Sequence, residues 1–210
     1  MNAASLKRKE IHGAIREAAL REFAATGLAG TSTQQLAKAA GITKAQLHYY
    51  ITSKEDLYRE VLEGIIAQWR DIFFVEGEQD DPAEVITGYV RRKLKLCLDQ
   101  PEGSRLFVQE LLRGAPEMED HWAGLRASVD EASGVIRRWI DEGRMKPVDP
   151  VLFMMNIWAV TQHYADYQLQ SRRVLDVPDE GALDFERIAD EAVQLFLMRA
   201  GLARAPRRPR

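Results

Sequence analysis

The 210-residue chain has a single cysteine, Cys97, so it can form neither an intrachain disulfide nor a multi-cysteine metal site, a pattern suited to a reducing cytoplasm. No histidine neighbours Cys97 in sequence to activate a thiolate, and a small buried apolar residue on a helix accounts for it. Long hydrophobic runs are also missing. The most apolar stretch, Val151 to Val160, is interrupted by Asn156 and followed by Thr161, Gln162 and His163, too short a run to span a bilayer. The basic residues Lys7, Arg8 and Lys9 lead into no apolar segment, so neither a signal peptide nor a membrane partner is expected. No region combines β-branched alternation with hairpin turns, which excludes a sheet, and there is no internal repeat. None of the four histidines lies three residues after a glutamate, so the paired Glu-x-x-His elements of helical di-iron enzymes are absent. HExxH, a phosphate-cradling glycine loop and a Ser-His-Asp spacing are absent too, leaving a helical enzyme as the remote alternative. No catalytic residue, metal or cofactor is expected.

What is present is 46% hydrophobic residues, ample for a packed core, and an uneven charge. Residues 1–60 hold nine Lys and Arg against six Asp and Glu, a net of +3, whereas residues 61–210 hold 20 against 26, a net of −6. A basic module on an acidic body binds phosphate at one end and is repelled elsewhere, which orients it on a duplex.

Nearly every segment reads as helix. Ile11, Ala14, Ile15, Ala18, Ala19, Leu20 and Phe23 recur at three- and four-residue steps from Leu6 to Ala25, and Gly27 ends that helix. Two short helices follow at Thr31 to Ala40 and Thr43 to Tyr50. Ser53 caps a long fourth one, whose stripe runs through Leu57, Tyr58, Val61, Leu62, Ile65, Ile66, Trp69 and Phe73. Further helices are expected near Pro82 to Leu98, Glu102 to Arg113, Met118 to Asp141, Asp149 to Gln170 and Asp184 to Ala200, with proline or glycine at the intervening turns. The expected organisation is all-α: a three-helix DNA-binding domain at residues 1–53, a helical effector-binding and dimerisation domain at 54–202, and a disordered basic tail at 203–210.

The informative segment is TQQLAKAAGITKAQLHYY, Thr33 to Tyr50. Leu36, Ala40, Ile42, Leu47 and Tyr50 fall where two short helices bury apolar side chains against each other and against a third. Ala37 sits at their closest approach, and Gly41 where the turn favours positive φ. Thr43 can cap the second helix, and Lys44, Gln46, His48 and Tyr49 project from its first two turns, as a major-groove reader requires.

With its leading amphipathic helix, this motif and SKEDLYREVL at Ser53 to Leu62, the N-terminal region resembles the TetR family of one-component bacterial regulators. The pattern includes Leu47, His48, Tyr49, Tyr50 and Lys54. It departs from the family at Ile51, usually aromatic, and at His48, often tyrosine. The resemblance implies a cytoplasmic repressor that binds double-stranded operator DNA as a homodimer and is released by a small-molecule effector. SRLFVQELLRGAP (Ser104 to Pro116), GRMKPVDP (Gly143 to Pro150) and FMMNIWAVTQHYADYQ (Phe153 to Gln168) are similar to the bodies of pyrimidine-utilisation regulators within that family, which implies uracil or thymine. The alternative effector is a hydrophobic amphiphile such as a drug or fatty acyl compound.

Site residues follow from geometry and resemblance together. Gln34, Lys44, Gln46 and His48 can reach base edges and Ala45 a thymine methyl, while Thr31, Thr33, Thr43, Tyr49 and Lys54 serve phosphates or caps. Thr33 is equally a candidate N-cap. Lys7, Arg8 and Lys9 read as a flexible basic arm or a solvated charge run. At the effector end, Trp158 and Gln162 stack an indole under a primary amide on one helix face, a pair suited to a flat ring with alternating donors and acceptors. Trp69, Phe73, Lys93, Arg105, Gln109 and Tyr167 join them from elsewhere. Phe185, Ile188, Ala189, Ala192, Val193 and Phe196 form the stripe expected at the dimer interface.

Overall fold

The computed structural model describes residues 3–72, 81–178 and 181–202, so the expectations for Phe73 and for the tail at 203–210 lie outside the described residues. Among these there are ten α-helices, one 3-10 turn and no strand. The chain divides into two compact units, Met1–Gln68 with Glu102–Glu119, and Trp69–Pro101 with Asp120–Arg210.

The first unit holds α1 (Ala3–Gly30), α2 (Thr33–Ala39), α3 (Lys44–Tyr50), α4 (Lys54–Arg70, up to Gln68) and α6 (Pro101–Leu112, from Glu102). The expected boundary after residue 53 falls inside this unit. Its interior takes most of the expected stripes: Ile15, Ala18, Ala19 and Phe23 of α1, Leu36 and Ala37 of α2, Leu47 of α3 and Leu57, Tyr58, Val61, Leu62 and Ile65 of α4 are all buried, whereas Ile11, Leu20 and Ile66 are half-buried and Ala14 is exposed. Phe23 meets Tyr58 edge to face at 5.1 Å. Gly27 leaves helical geometry at φ 71°, so α1 kinks there and continues for one turn to Gly30.

Glu110 of α6 has no exposed surface, yet it is a carboxylate. It is held by the Tyr58 hydroxyl (2.9 Å), the backbone N–H of Glu117 (2.8 Å) and the Arg113 guanidinium (2.5 Å). Burial and the adjoining carboxylate push the Tyr58 hydroxyl well above its ordinary range. A buried charge is tolerated only with such partners.

The second unit packs α5 (Pro82–Asp99), α7 (Trp122–Asp141), α8 (Pro150–Asp166) and α10 (Phe185–Ala200) around one core, with the short α9 (Gln168–Val174) beside α8. Ile86, Tyr89 and Val90 of α5 meet Ala132, Val135, Ile136 and Trp139 of α7, Phe153, Met154 and Ile157 of α8, and Ala192, Val193, Phe196 and Leu197 of α10. Asp81, Asp149 and Asp184 cap α5, α8 and α10 through their side chains, and Pro82 and Pro150 open two of these helices, where the missing N–H costs nothing. Two expected helices are shorter than expected. The segment from Pro116 to His121 is a 3-10 turn before α7, its Glu117 N–H bound to Glu110. Helix α8 stops at Tyr167 (φ −110°, ψ 39°), whose ring stacks on His163 at 5.2 Å.

Candidate functional site

The α2–turn–α3 element is built by two capping boxes in series. Ser32, not Thr33, caps α2: its hydroxyl accepts from the Gln35 N–H at 3.2 Å, and the Gln35 side chain accepts from the Ser32 N–H at 2.8 Å. Thr43 and Gln46 repeat the arrangement at α3, at 3.1 and 2.9 Å. Between them Gly41 sits at φ 69°, and the N–H groups of Gly41 and Ile42 return to the carbonyls of Lys38 and Ala37, closing α2. With Leu47 fully buried, α3 turns Lys44, Ala45, Gln46, His48 and Tyr49 outward, and Gln34 of α2 is exposed with them.

Two of the residues expected on DNA, Thr31 and Lys54, have internal work, and Thr33 is not the cap it was expected to be. Thr31 is 2% exposed, and its hydroxyl lies 2.8 Å from both the Thr26 hydroxyl and the Gly27 carbonyl, so it closes the kinked end of α1 and does not face a phosphate. Thr33, in the first turn of α2, keeps its hydroxyl out of the cap that Ser32 supplies. The Lys54 ammonium donates to the carbonyls of Leu28 (2.7 Å) and Thr31 (3.0 Å), tying the start of α4 to the end of α1. Cations at helix C-termini satisfy carbonyls left without partners. Gln46 is a milder correction: its carbonyl oxygen already accepts the Thr43 N–H at the cap, so it has one lone pair and two N–H donors left for a base edge.

The Lys54 geometry carries a prediction. Lys54→Ala should lower unfolding free energy by about 2 kcal/mol through two lost charge-assisted hydrogen bonds and weaken DNA of all sequences alike. The slope of log affinity against log salt should stay unchanged in an anisotropy titration. A phosphate ligand would instead lower that slope by about one unit per subunit.

The effector candidates divide between the units. Arg105 and Gln109 belong to the first, where Arg105 pairs with Glu102 at 3.1 Å and the Gln109 amide donates to the Ala24 carbonyl at 2.8 Å. Trp69, Lys93, Trp158, Gln162 and Tyr167 belong to the second. Lys93 is 3% exposed, with its ammonium 3.5 Å from the centroid of the Trp69 ring, and burial pushes its pKa down to about 8 against the opposing pull of Cys97 and Asp166. One turn earlier on α5, buried Tyr89 accepts a 2.6 Å hydrogen bond from the Trp158 indole N–H. Tyr89, Lys93 and Cys97 thus form one stripe of α5, and Trp158, Gln162 and Asp166 one stripe of α8. Tyr89 faces Trp158 at one end, and Lys93 and Cys97 feel Asp166 at the other, so Gln162 stands at the level of Lys93. Sequence reasoning missed Tyr89 and Asp166, although each lies four residues from a candidate. Tyr167 is 59% exposed and stacked on His163 outside this group.

The expected dimer stripe is also reassigned. Ile188, Ala189, Ala192, Val193 and Phe196 are buried within the chain against α5 and α8, and Phe185 is covered by Arg91 and Lys95. The large apolar residues left exposed on α8 and α10 are Val151, Leu152 and Met155 of α8 and Leu195 and Met198 of α10. Leu152 and Leu195 meet in one shallow groove with Val148, Asn156, Val160 and Arg199.

Residues 15–61 match the family described as bacterial regulatory proteins, tetR family, and residues 62–203 match the C-terminal region of YcdC-like proteins of that family. The HTH-type transcriptional regulator RutR of Escherichia coli K12 is 42% identical over 196 residues, covering 93% of this chain and 91% of the relative. The chain belongs to the TetR family. Two solved structures share the fold at TM-scores of 0.71 and 0.67: KstR2, the ketosteroid transcriptional regulator of Mycobacterium tuberculosis (21% identical, 90% of this chain and 94% of that one), and AibR in complex with isovaleryl coenzyme A and operator DNA (22%, 88% and 97%). As a TetR-family transcriptional regulator, the chain acts by binding and not by catalysis. No described helix is long and apolar enough to cross a membrane.

Proposed function

We propose that this chain is a cytoplasmic repressor that binds operator DNA as a homodimer and is released by uracil, thymine or a close pyrimidine. The observation that carries the effector class is the polar interior of the α5–α8 layer. A buried ammonium at Lys93, the Tyr89–Trp158 pair and the Gln162 amide suit a flat ring with a carbonyl-rich edge, whereas a fatty acyl chain or drug calls for an all-apolar tunnel. Lys93 and Gln162 supply donors to ring carbonyls, and the Gln162 oxygen accepts from a ring N–H. The resemblance of Ser104 to Pro116 and Phe153 to Gln168 to pyrimidine-utilisation regulators supports the same class. Helix α4 is the coupling element, because it runs from Lys54 and Tyr58 in the first unit to Trp69 at the start of the second. A ligand shifts the spacing of two recognition helices only by its differential affinity for the two arrangements.

The homodimer forms through the exposed faces of α8 and α10, which join their partner copies in a four-helix interface, as the family resemblance implies. Symmetry requires the same patch on both subunits, and Leu152, Met155, Leu195 and Met198 provide one.

Titration calorimetry with uracil, thymine and a fatty acyl thioester tests the effector. Gln162→Leu keeps the side chain's size and removes its hydrogen bonds. It should weaken pyrimidine binding at least about 100-fold, since a site built to hydrogen-bond a ligand is left unpaired. Operator affinity without ligand should stay within about twofold. Tight binding of the thioester and none of the pyrimidines would retire the nucleobase reading.

A further inference from the structure

Lys7, Arg8 and Lys9 are not a flexible arm; they lie on helix α1. Ser5, Arg8, Lys9, His12, Gly13 and Arg16 recur at three- and four-residue steps, share one face of α1, and with Tyr50 of α3 line an open groove beside the recognition helix. The carboxylates of α1 near this stripe, Glu10 and Glu17, lie more than about 100° round the helix from its midline. At the deep end Glu60 of α4 pairs with Arg16 at 3.4 Å and His12 at 3.5 Å. Arg8 and Lys9 stand exposed at the open end with surplus positive charge. The Arg8 guanidinium lies 5.7 Å from the ring centroid of Tyr49, which is 71% exposed on the outward face of α3. The groove therefore adjoins the face that reads DNA.

Gly13 is the second observation. Glycine weakens a helix interior relative to alanine, and nothing lies within 4 Å of the position its Cβ would take. Packing within this chain does not call for glycine there. A backbone entering the groove would gain room from the missing side chain, since the space beyond Gly13 is open.

We propose that this groove is a binding site for the phosphodiester backbone of duplex DNA, in which Arg8 and Lys9 contact phosphates and Gly13 forms the floor, on the flank of the major groove that α3 enters. The inference rests on the DNA-binding reading and extends its footprint beyond α2 and α3. Contacts of this kind fix register and add affinity without reading sequence.

The test uses the full-length protein, a duplex that the unmodified protein selects from a randomised pool, and an unrelated duplex, by fluorescence anisotropy across a salt series. Arg8→Ala with Lys9→Ala should weaken both duplexes alike, by about tenfold or more, and flatten the salt slope by about two units per subunit. The affinity ratio between the duplexes should not change. Gly13→Leu should fill the groove and weaken both duplexes while the melting temperature holds or rises. Lys44→Ala, on the reading face of α3, should instead reduce the ratio between the duplexes. Groove variants that bind with the unmodified affinity and salt slope would overturn the proposal, and selection by the unmodified protein would still leave the DNA-binding reading standing. Failure of the unmodified protein to select any duplex would remove both. If Gly13→Leu melts early, the double variant decides, since its two side chains are exposed.

Discussion

Leu195→Glu combined with Met198→Glu should give a folded monomer that has lost operator binding. Both side chains are more than half exposed on α10, so the charges cost little in the isolated subunit. In a symmetric interface each enters twice and is desolvated without a partner. The loss on DNA should be large, because linking two half-site readers raises affinity by about 10² to 10⁴ over either alone. Light scattering should report one subunit's mass, with circular dichroism close to that of the unmodified protein. Phe196→Glu should behave differently. Phe196 is 3% exposed and packs edge to face on Phe153 at 5.5 Å, so a carboxylate there enters the subunit's own core. Removing a buried phenylalanine costs about 3–5 kcal/mol before the charge is counted, and the variant should unfold. A persistent dimer for Leu195→Glu with Met198→Glu, or a well-folded monomer for Phe196→Glu, would reverse the assignment of the two faces of α10.

Lys93 should make stability depend on pH in a defined direction. Its folded pKa is pushed down to about 8, against 10.5 for an ordinary lysine. Below pH 8 the group is charged in both states, and the folded state bears the full penalty of burying it. Between pH 8 and 10.5 the folded state releases the proton before the unfolded state does, so this group's contribution to stability rises with pH. The shift corresponds to about 3 kcal/mol. Cys97 opposes this above its ordinary pKa, because burial raises the folded thiol and the unfolded thiolate forms first. Tyr89 does the same at higher pH. Comparing the unmodified protein with Lys93→Met isolates the lysine. The variant should be more stable by about 3 kcal/mol at pH 7, where its methionine replaces a buried charge with an apolar chain of similar length, and the advantage should shrink towards zero by about pH 10.5. Urea unfolding at intervals from pH 7 to 10 reads this difference, and a constant offset would show that the lysine is not held as a buried charge. The same substitution should weaken pyrimidine binding, so the lysine's cost to stability goes with a function. Groups kept against the demands of packing are where binding chemistry concentrates.

Much of the DNA-binding module was legible because its signals are local. Leu36, Ala37 and Leu47 declare a helical hairpin by spacing alone, Gly41 marks the one turn residue at positive φ, and Thr43 and Ser53 declare caps within three residues of their partners. The family, the all-helical class and most helix ends follow from such short-range patterns. Where a side chain has two possible partners, spacing is silent. Lys54 reads as a phosphate ligand until the fold brings the Leu28 and Thr31 carbonyls, more than twenty residues upstream, to its ammonium. Gln46 reads as a base reader until its oxygen is found on the Thr43 N–H. An amphipathic stripe likewise says that a face is buried, not in what. The stripe of α10 from Ile188 to Phe196 is the chain's own core, and the large apolar residues left exposed on that helix, Leu195 and Met198, lie outside it. The sequence by itself determined the family, the helices and the exposed face of α3, because propensity, periodicity and capping act over a few residues. Only the tertiary structure decided which stripe is interior, which charges are consumed inside the chain, and that Lys93, Tyr89, Trp158 and Asp166 meet across α5 and α8, because those contacts join residues about 70 positions apart.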